Sequence, residues 1–342
     1  MYCFNRQRNN FGLDDDDISK FGSKLNGKAF FNNLYESIIP LCDYVVDISK
    51  LKYWTFKSYL KRLSVTTKIL KKENSYLVEI PIGDFYKVLV SEIELFINKA
   101  NMQHYEAEKI KHFSNNWNFV TLYYSFFFSA SALLRFLHSG FVYLDEEIKA
   151  IFERNISVYD SASAEVPIGN FYFSEVEKND TNVIVSFTHG GRSPVHEKMW
   201  VQLEAILKKS FYKNNAETDE IDVLNKIFEV CKKYRNKFPS ETRNKFNYPA
   251  ESALSDIYRV LNDYFSYDYS LESFLTSNFI VSPYSEDGVK ATIFYYKLVF
   301  SYVRKYYESF QSRLKDKTFL YKHLIDYEKR NKIKIEDFIF EK

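Results

Sequence analysis

Glycine, proline and cysteine are scarce in this 342-residue chain, with nine, seven and three copies respectively. The cysteines, Cys3, Cys42 and Cys231, are odd in number, far apart and free of any CxxC pair. That spacing fits neither a disulfide framework nor a zinc site, and a reducing cytoplasm is the compartment it suits. No Pro/Gly/Ser stretch is long enough to read as an interdomain linker. Charge of one sign is lacking too: 47 Lys and Arg stand against 45 Asp and Glu, a net +2. With no whole-molecule field to draw nucleic acid, any such attraction must come from local patches. The first residues, MYCFNRQRNNFGLDDDD, contain no apolar core of a signal peptide, so no secretory signal is expected. Signatures of a kinase, P-loop ATPase, triad hydrolase or zinc enzyme are missing as well.

Aromatic residues are abundant, at 18% of a chain that is 46% hydrophobic, which provides for a sizeable core and excludes global disorder. The excess of Phe, Tyr, Lys, Asn and Ile also follows from AT-rich codons without selection for any site. The stretch Trp117 to His138 is apolar or small on every helical face, the mark of a buried helix. Its densest part, Phe119 to Leu134, has 16 residues, contains Thr121, Ser125, Ser129 and Ser131, and ends on Arg135. That is short and polar for a bilayer span of ~20 residues, so a core helix and no membrane association are expected.

Helical spacing also runs from Phe30 to Val46, with Pro40 as a break, from Asp84 to about Ala100, and from Asp145 to Asn155. Further helices are expected from Ser193-Pro194 onward, over Asp219 to Lys237 with Pro239 ending it, over Ala250 to Tyr264, and from Val289 to about Leu314. The central helix is expected to stop at Ser139-Gly140, with the glycine in a left-handed cap. One clear β signal is present, a hairpin at about 170 to 188 around a polar turn, and Tyr76 to Ile82 reads as a short strand. The expected fold is mainly α, a single helical unit with one inserted hairpin. Residues 1–105 form its N-terminal helical region, and 106–342 hold a bundle with basic-aromatic C-terminal helices.

Three patches of positive charge stand out. Between Lys50 and Lys72 lie eight Lys or Arg and no Asp or Glu, and at 100° per residue Lys50, Lys57 and Lys61 share a stripe opposite an apolar arc. Such an amphipathic helix tracks phosphates or is an ordinary solvated face. In His189-Gly190-Gly191-Arg192 the glycines let backbone N–H groups approach a phosphate beside Arg192, although a hairpin-to-helix turn uses them equally well. From Arg304 to Lys334, ten Lys or Arg alternate with aromatic rings on which bases could stack or which fill a core.

The dipeptide Arg-Asn occurs twice in YRNKFPSETRNKFNY, at Arg235-Asn236 and Arg243-Asn244, beside Asn247 and Tyr248. An arginine a few residues ahead of a proton-transferring side chain suits phosphodiester cleavage in RNA, since the guanidinium stabilises charge on the phosphate oxygens. The same residues could equally cap helices within a core. The central YYSFFFSASALLRF resembles the first core helix of the HEPN superfamily, and Arg243 to Tyr248 is similar to that family's Arg-Asn...His element. Length and hairpin most resemble its YaaC-like group. The likeness spans about Asn116 to Phe265, and it departs from the ribonuclease members where Asn247-Tyr248 stands in place of their histidine.

The resemblance implies a HEPN-like helical bundle in a cytoplasmic protein of a prokaryotic defence or toxin–antitoxin system. It would bind RNA or nucleotide and, if an enzyme, act as a metal-independent endoribonuclease without cofactors. Arg243, Asn244 and Tyr248 would carry the chemistry, with Arg235, Asn247, Arg192, Lys50, Lys57 and Lys61 contacting nucleic acid. It also implies a homodimer. The competing implication is a non-catalytic scaffold bound to a protein partner, an antitoxin or another defence component.

Overall fold

The computed structural model describes residues 37–43, 55–110, 115–159, 165–191, 194–213 and 238–247, with scattered helical residues at 222–232 and 292–310. Six helices are delimited: α1 (Phe56–Leu60), α2 (Ile82–Ile110), α3 (Asn115–Phe136), α4 (Glu146–Tyr159), α5 (Val195–Lys213) and α6 (Phe238–Asn247). Five strands accompany them: β1 (Ile69–Lys71), β2 (Ser75–Pro81), β3 (Ser139–Leu144), β4 (Gly169–Lys178) and β5 (Asn182–His189). The strands form one antiparallel sheet in the order β1-β2-β5-β4-β3.

This sheet corrects the expectation of a mainly α bundle with a single inserted hairpin: helices remain the larger part, but the fold is mixed α/β. The hairpin β4–β5 lies where its polar turn placed it. It is flanked by β2, which pairs with β5 from Ser75↔Thr188 to Pro81↔Asn182, and by β3 along β4. The sheet therefore takes strands from both sides of residue 105.

Two further expectations fail for local reasons. Of the basic amphipathic helix expected over 50–72, residues 50–54 lie outside the described residues, and among the described ones only Phe56–Leu60 is α-helix before the chain turns and becomes β1. The run Ser64, Val65, Thr66 and Thr67 favours side-chain-to-backbone bonds and β-branched geometry over helix, as in Thr66 N–H donating to Ser64 Oγ. Likewise α3 ends at Phe136 and the left-handed position falls to His138 (φ 54°), so Ser139-Gly140 opens β3 instead of capping the helix.

One sheet face is buried and apolar at every second residue: Tyr76, Val78 and Ile80; Phe171 and Phe173; Val183, Val185 and Phe187. The alternate residues Leu77, Tyr172 and Ile184 are half-buried. A bulge between Glu175 and Glu177 shifts the β4 register and leaves Val176 exposed. Helices cover the buried face: the α1 ring Phe56 stacks on Phe173 at 4.1 Å, and Phe152 of α4 meets Phe187 edge-on at 5.6 Å. Beyond the sheet, α2 and α3 run as a tight helical pair, with Ser125 Oγ donating to the Ala100 carbonyl at 2.9 Å. The helical residues among 292–310, including Tyr295, Tyr296, Val299, Val303 and Phe310, are buried against the same core.

Trp117–Phe136 is apolar and long enough to cross a membrane, yet 78% of its apolar window is buried inside this fold. Its end carries a deeply enclosed charge. Arg135, 2% exposed, donates from Nε to Glu92 Oε2 at 2.5 Å, from Nη1 to the Ser139 carbonyl at 3.0 Å and from Nη2 to the Phe141 carbonyl at 2.9 Å. Phe96 and Phe173 flank its guanidinium at 5.3 and 4.7 Å. Glu92 Oε1 in turn accepts the Phe56 N–H at 2.8 Å, at the start of α1. A Cβ on Gly140 would sit 1.1 Å from Arg135 Nη1, so only glycine fits there.

Removing one member of a buried, hydrogen-bonded ion pair strands the other. Arg135→Ala or Glu92→Ala should each cost about 3–5 kcal/mol in urea unfolding. Gly140→Ala should destabilise through the same contact, and a loss below ~1 kcal/mol in all three variants would contradict this account of the core.

Candidate anion-binding site

Three helices bring the polar groups of this site together. α3 supplies Tyr123, Tyr124 and Phe127; α5 supplies His196 and Trp200; α6 supplies Ser240 and Arg243. Each is placed by ordinary helix chemistry. α5 begins after Pro194, whose carbonyl accepts from Glu197 and Lys198 N–H, and Met199, Trp200, Leu203 and Leu207 form its buried face. α6 carries Pro239 in its first turn, where a missing N–H costs nothing, so this proline opens a helix instead of only ending the one before it. Phe246 of α6 stacks on Phe119 of α3 at 4.3 Å and sets the two helices against each other.

A chain of hydrogen bonds runs through the centre. Trp200 Nε1 donates to Ser240 Oγ at 2.9 Å, Ser240 Oγ lies 3.3 Å from Tyr123 Oη, and Tyr123 Oη lies 3.1 Å from His196 Nδ1. The direction follows from satisfying every buried donor. An indole only donates, so Ser240 accepts from Trp200 and passes its own proton to Tyr123, which passes its proton to His196 Nδ1. The reverse order would strand the hydroxyl hydrogen of Ser240, which is buried and has no other acceptor among the described residues. Nδ1 is therefore the acceptor, and Nε2 carries the hydrogen of a neutral imidazole.

Electrostatics agree with this assignment. Burial, reinforced by the Arg243 charge, lowers the His196 pKa to about 4, and burial pushes the Tyr123 phenol up to about 12. Near neutral pH both keep the protonation state that the hydrogen-bond chain requires.

Arg243 stands beside them with its guanidinium over the rings of Tyr123, at 5.3 Å, and Tyr124, at 5.8 Å. No carboxylate pairs with it among the described residues, and its Nε is buried without a hydrogen-bond partner. His196 lies against the same rings, 5.9 Å from Tyr123 and 6.0 Å from Tyr124, and 4.3 Å from Phe127. The site thus offers a cation and a neutral N–H donor on an aromatic bed, with no counter-ion of its own.

Of the residues singled out in the sequence, Arg243 belongs to this cluster. Asn244 is exposed and Asn247 half-buried on the same helix, and neither side chain makes a hydrogen bond among the described residues. Tyr248, Arg235, Arg192 and Lys50 lie outside the described residues. Lys57 and Lys61 lie elsewhere, on α1, where Lys57 pairs with Asp145 at 3.0 Å and Lys61 with Asp145 at 3.1 Å and with Glu147. The Lys57 hydrogen bond holds the Asp145 carboxyl well below the usual range, and the bond to Glu147 raises the Lys61 ammonium. Those two lysines are therefore already met by carboxylates at the start of α4.

Sequence reasoning missed Tyr123, His196, Trp200 and Ser240. The one available signal was a histidine one position into an otherwise amphipathic helix. Among the described residues no three His, Cys, Asp or Glu come together as a metal site. No family model matches this sequence, and no curated protein or solved structure matches it either.

His104, hydrogen-bonded to Tyr296 Oη at 3.1 Å, is likewise held to about 4 by burial, so two histidines stay neutral in the fold that an unfolded chain would protonate near 6.5. Between those values the unfolded state binds more protons, and stability falls as pH drops from 6.5 towards 4. Thermal melts across that window should show a steady decline that His104→Gln makes shallower. Nitrogen-15 NMR of the His196 ring should find the Nε2–H tautomer unprotonated down to about 4, and a ring titrating near 6.5 would contradict the assignment.

Proposed function

We propose that the Arg243–His196 site binds the phosphate of a nucleotide or of RNA. One observation carries the proposal: a half-buried guanidinium without a carboxylate, its Nε–H unpartnered, beside a second N–H donor. An uncompensated charge removed from water is costly, and a bound anion restores the balance with charge-assisted hydrogen bonds. Tyr124 and Phe127, both half-buried, offer ring faces to a base beside that phosphate.

The same geometry favours binding over cleavage. Transesterification of RNA needs a group that takes the proton of the 2′-hydroxyl. His196 meets Tyr123 with its lone pair and offers a hydrogen from Nε2, and the Tyr123 phenol, up at about 12, keeps its proton. No side chain of the cluster is left as a base. This reading rests on the donors of the site and not on the HEPN resemblance.

Isothermal titration with adenosine and uridine monophosphates and with a short oligouridylate tests the proposal, alongside an RNA-cleavage gel. Arg243→Ala should abolish binding yet shift unfolding free energy by only ~0.5 kcal/mol, because the side chain makes no hydrogen bond to lose. Wild type should leave the RNA intact. If the variant is strongly destabilised while wild type binds no phosphate ligand, Arg243 is a structural residue and the proposal fails.

A further inference from the structure

His138 stands at the corner where α3 ends and β3 begins, and among the described residues it alone combines a side chain with a positive φ, 54°. Such a backbone is strained for a residue with a Cβ. Both of its main-chain groups hold it there: its N–H donates to the Arg135 carbonyl at 3.0 Å, and its carbonyl accepts the Glu175 N–H at 3.1 Å. The imidazole is thereby fixed between β4 and the 37–43 helix, edge-on to Tyr86 of α2 at 5.1 Å.

Each ring nitrogen meets an oxygen. Nδ1 lies 2.8 Å from Glu175 Oε2, and Nε2 lies 2.8 Å from the Ser37 carbonyl. A carbonyl only accepts, and so does an ionised carboxylate. Burial opposes ionisation of Glu175, yet the hydrogen bond and charge of His138, with Lys178 and the Tyr86 hydroxyl, hold its carboxyl below the usual range. A neutral imidazole has one N–H and one lone pair, so either tautomer would turn a lone pair on an acceptor oxygen. The imidazolium satisfies both contacts. A neutral ring facing a protonated Glu175 would satisfy them too, and the lowered carboxyl disfavours it.

The two side chains are 13% and 17% exposed, enclosed enough to be weakly screened and open enough to exchange a proton with water. When the ring loses one proton, the remaining N–H stays with the ionised acceptor, the stronger of the two bonds. The Ser37 carbonyl then faces a lone pair, and the 37–43 helix, whose Ile38 and Leu41 lie in the core, loses this tie. The surrounding groups do not substitute for it. Tyr86 donates to Glu175, the Arg135 guanidinium is committed to Glu92 and the β3 carbonyls, and Asp43 is exposed at the far end of the helix. Tyr306, which meets the Ser37 side chain, is a phenol that burial keeps protonated.

We propose that His138 is a pH-sensitive clasp: its doubly protonated ring ties the 37–43 helix to the bulged stretch of β4, and loss of one ring proton as pH rises unfastens that helix. The device is independent of the phosphate site at Arg243.

Nitrogen-15 NMR of the His138 ring follows the proton, and hydrogen exchange at the Leu41, Cys42 and Asp43 amides reads the helix, both on the full chain over a rising pH series. Both ring nitrogens should carry hydrogen at the start of the series. As the ring titrates, protection factors at those amides should fall about ten- to hundredfold, the range for one lost hydrogen bond to a charged group, while those of the β2–β5 pair do not follow the ring. Glu175→Gln removes the negative partner and should move the ring titration, and the fall in protection with it, to lower pH. His138→Gln should leave protection in 37–43 low and without the step; if that variant does not fold, Glu175→Gln carries the test. A ring with one bare nitrogen throughout, protection that ignores the titration, or a titration unmoved in Glu175→Gln overturns the clasp.

Discussion

The buried pair of Arg135 and Glu92 is the constraint on which the described structure depends. A guanidinium taken out of water is tolerable only when its donors all find acceptors, and here the acceptors come from α2 and from the first residues of β3. Glu92 spends its second oxygen on the Phe56 N–H, which draws in α1. Four elements must therefore meet at one place, or none of them does without leaving a bare charge. The close approach explains why residue 140 is glycine, since any side chain would occupy the guanidinium's position.

Fixing the end of α3 also fixes what its earlier turns present. Tyr123 and Tyr124 lie about three turns upstream of Arg135, so their orientation towards α5 and α6 is set by the same anchorage. The polar groups at those positions obey the opposite rule to the core pair. Arg135 is matched atom by atom and is structural, whereas Arg243 has rings beneath it and, among the described residues, no anion beside it. Two arginines packed against the same helix thus differ in one property, the presence of a counter-ion among the described residues.

Neutrality of His196 is the second distinguishing feature. Its ring is enclosed enough to lose its charge, and the hydrogen-bond chain starting from the Trp200 indole settles which nitrogen keeps the hydrogen. Donor-only groups at the start of a buried chain impose a direction on everything after them. A chain directed this way ends on the His196 Nδ1 lone pair and leaves the Nε2 hydrogen as a donor, which suits an anion better than proton abstraction.

What the sequence determined by itself is whatever depends on neighbours along the chain. The apolar run at Trp117–His138 read as a core helix, the polar turn near residue 180 as a hairpin, and the cap at Asp145 as a helix start, because 3.6- and 2-residue periods and turn chemistry are local properties. Arg243 was picked out from its own Arg-Asn context. Only the tertiary structure decided the rest. β2 and β5 are a hundred residues apart, β1 is three residues long and β3 begins on the Ser139-Gly140 pair that reads as a helix cap, so a five-stranded sheet leaves no regular spacing to detect. Lys57 and Lys61 form a basic stripe until the chain returns with Asp145 and Glu147 to neutralise it. His196 carries no local mark of its role, which comes from Tyr123 and Arg243 on two other helices. Strand partners, counter-ions and proton directions are set by what the chain brings back to a place, and periodicity along the chain does not encode that.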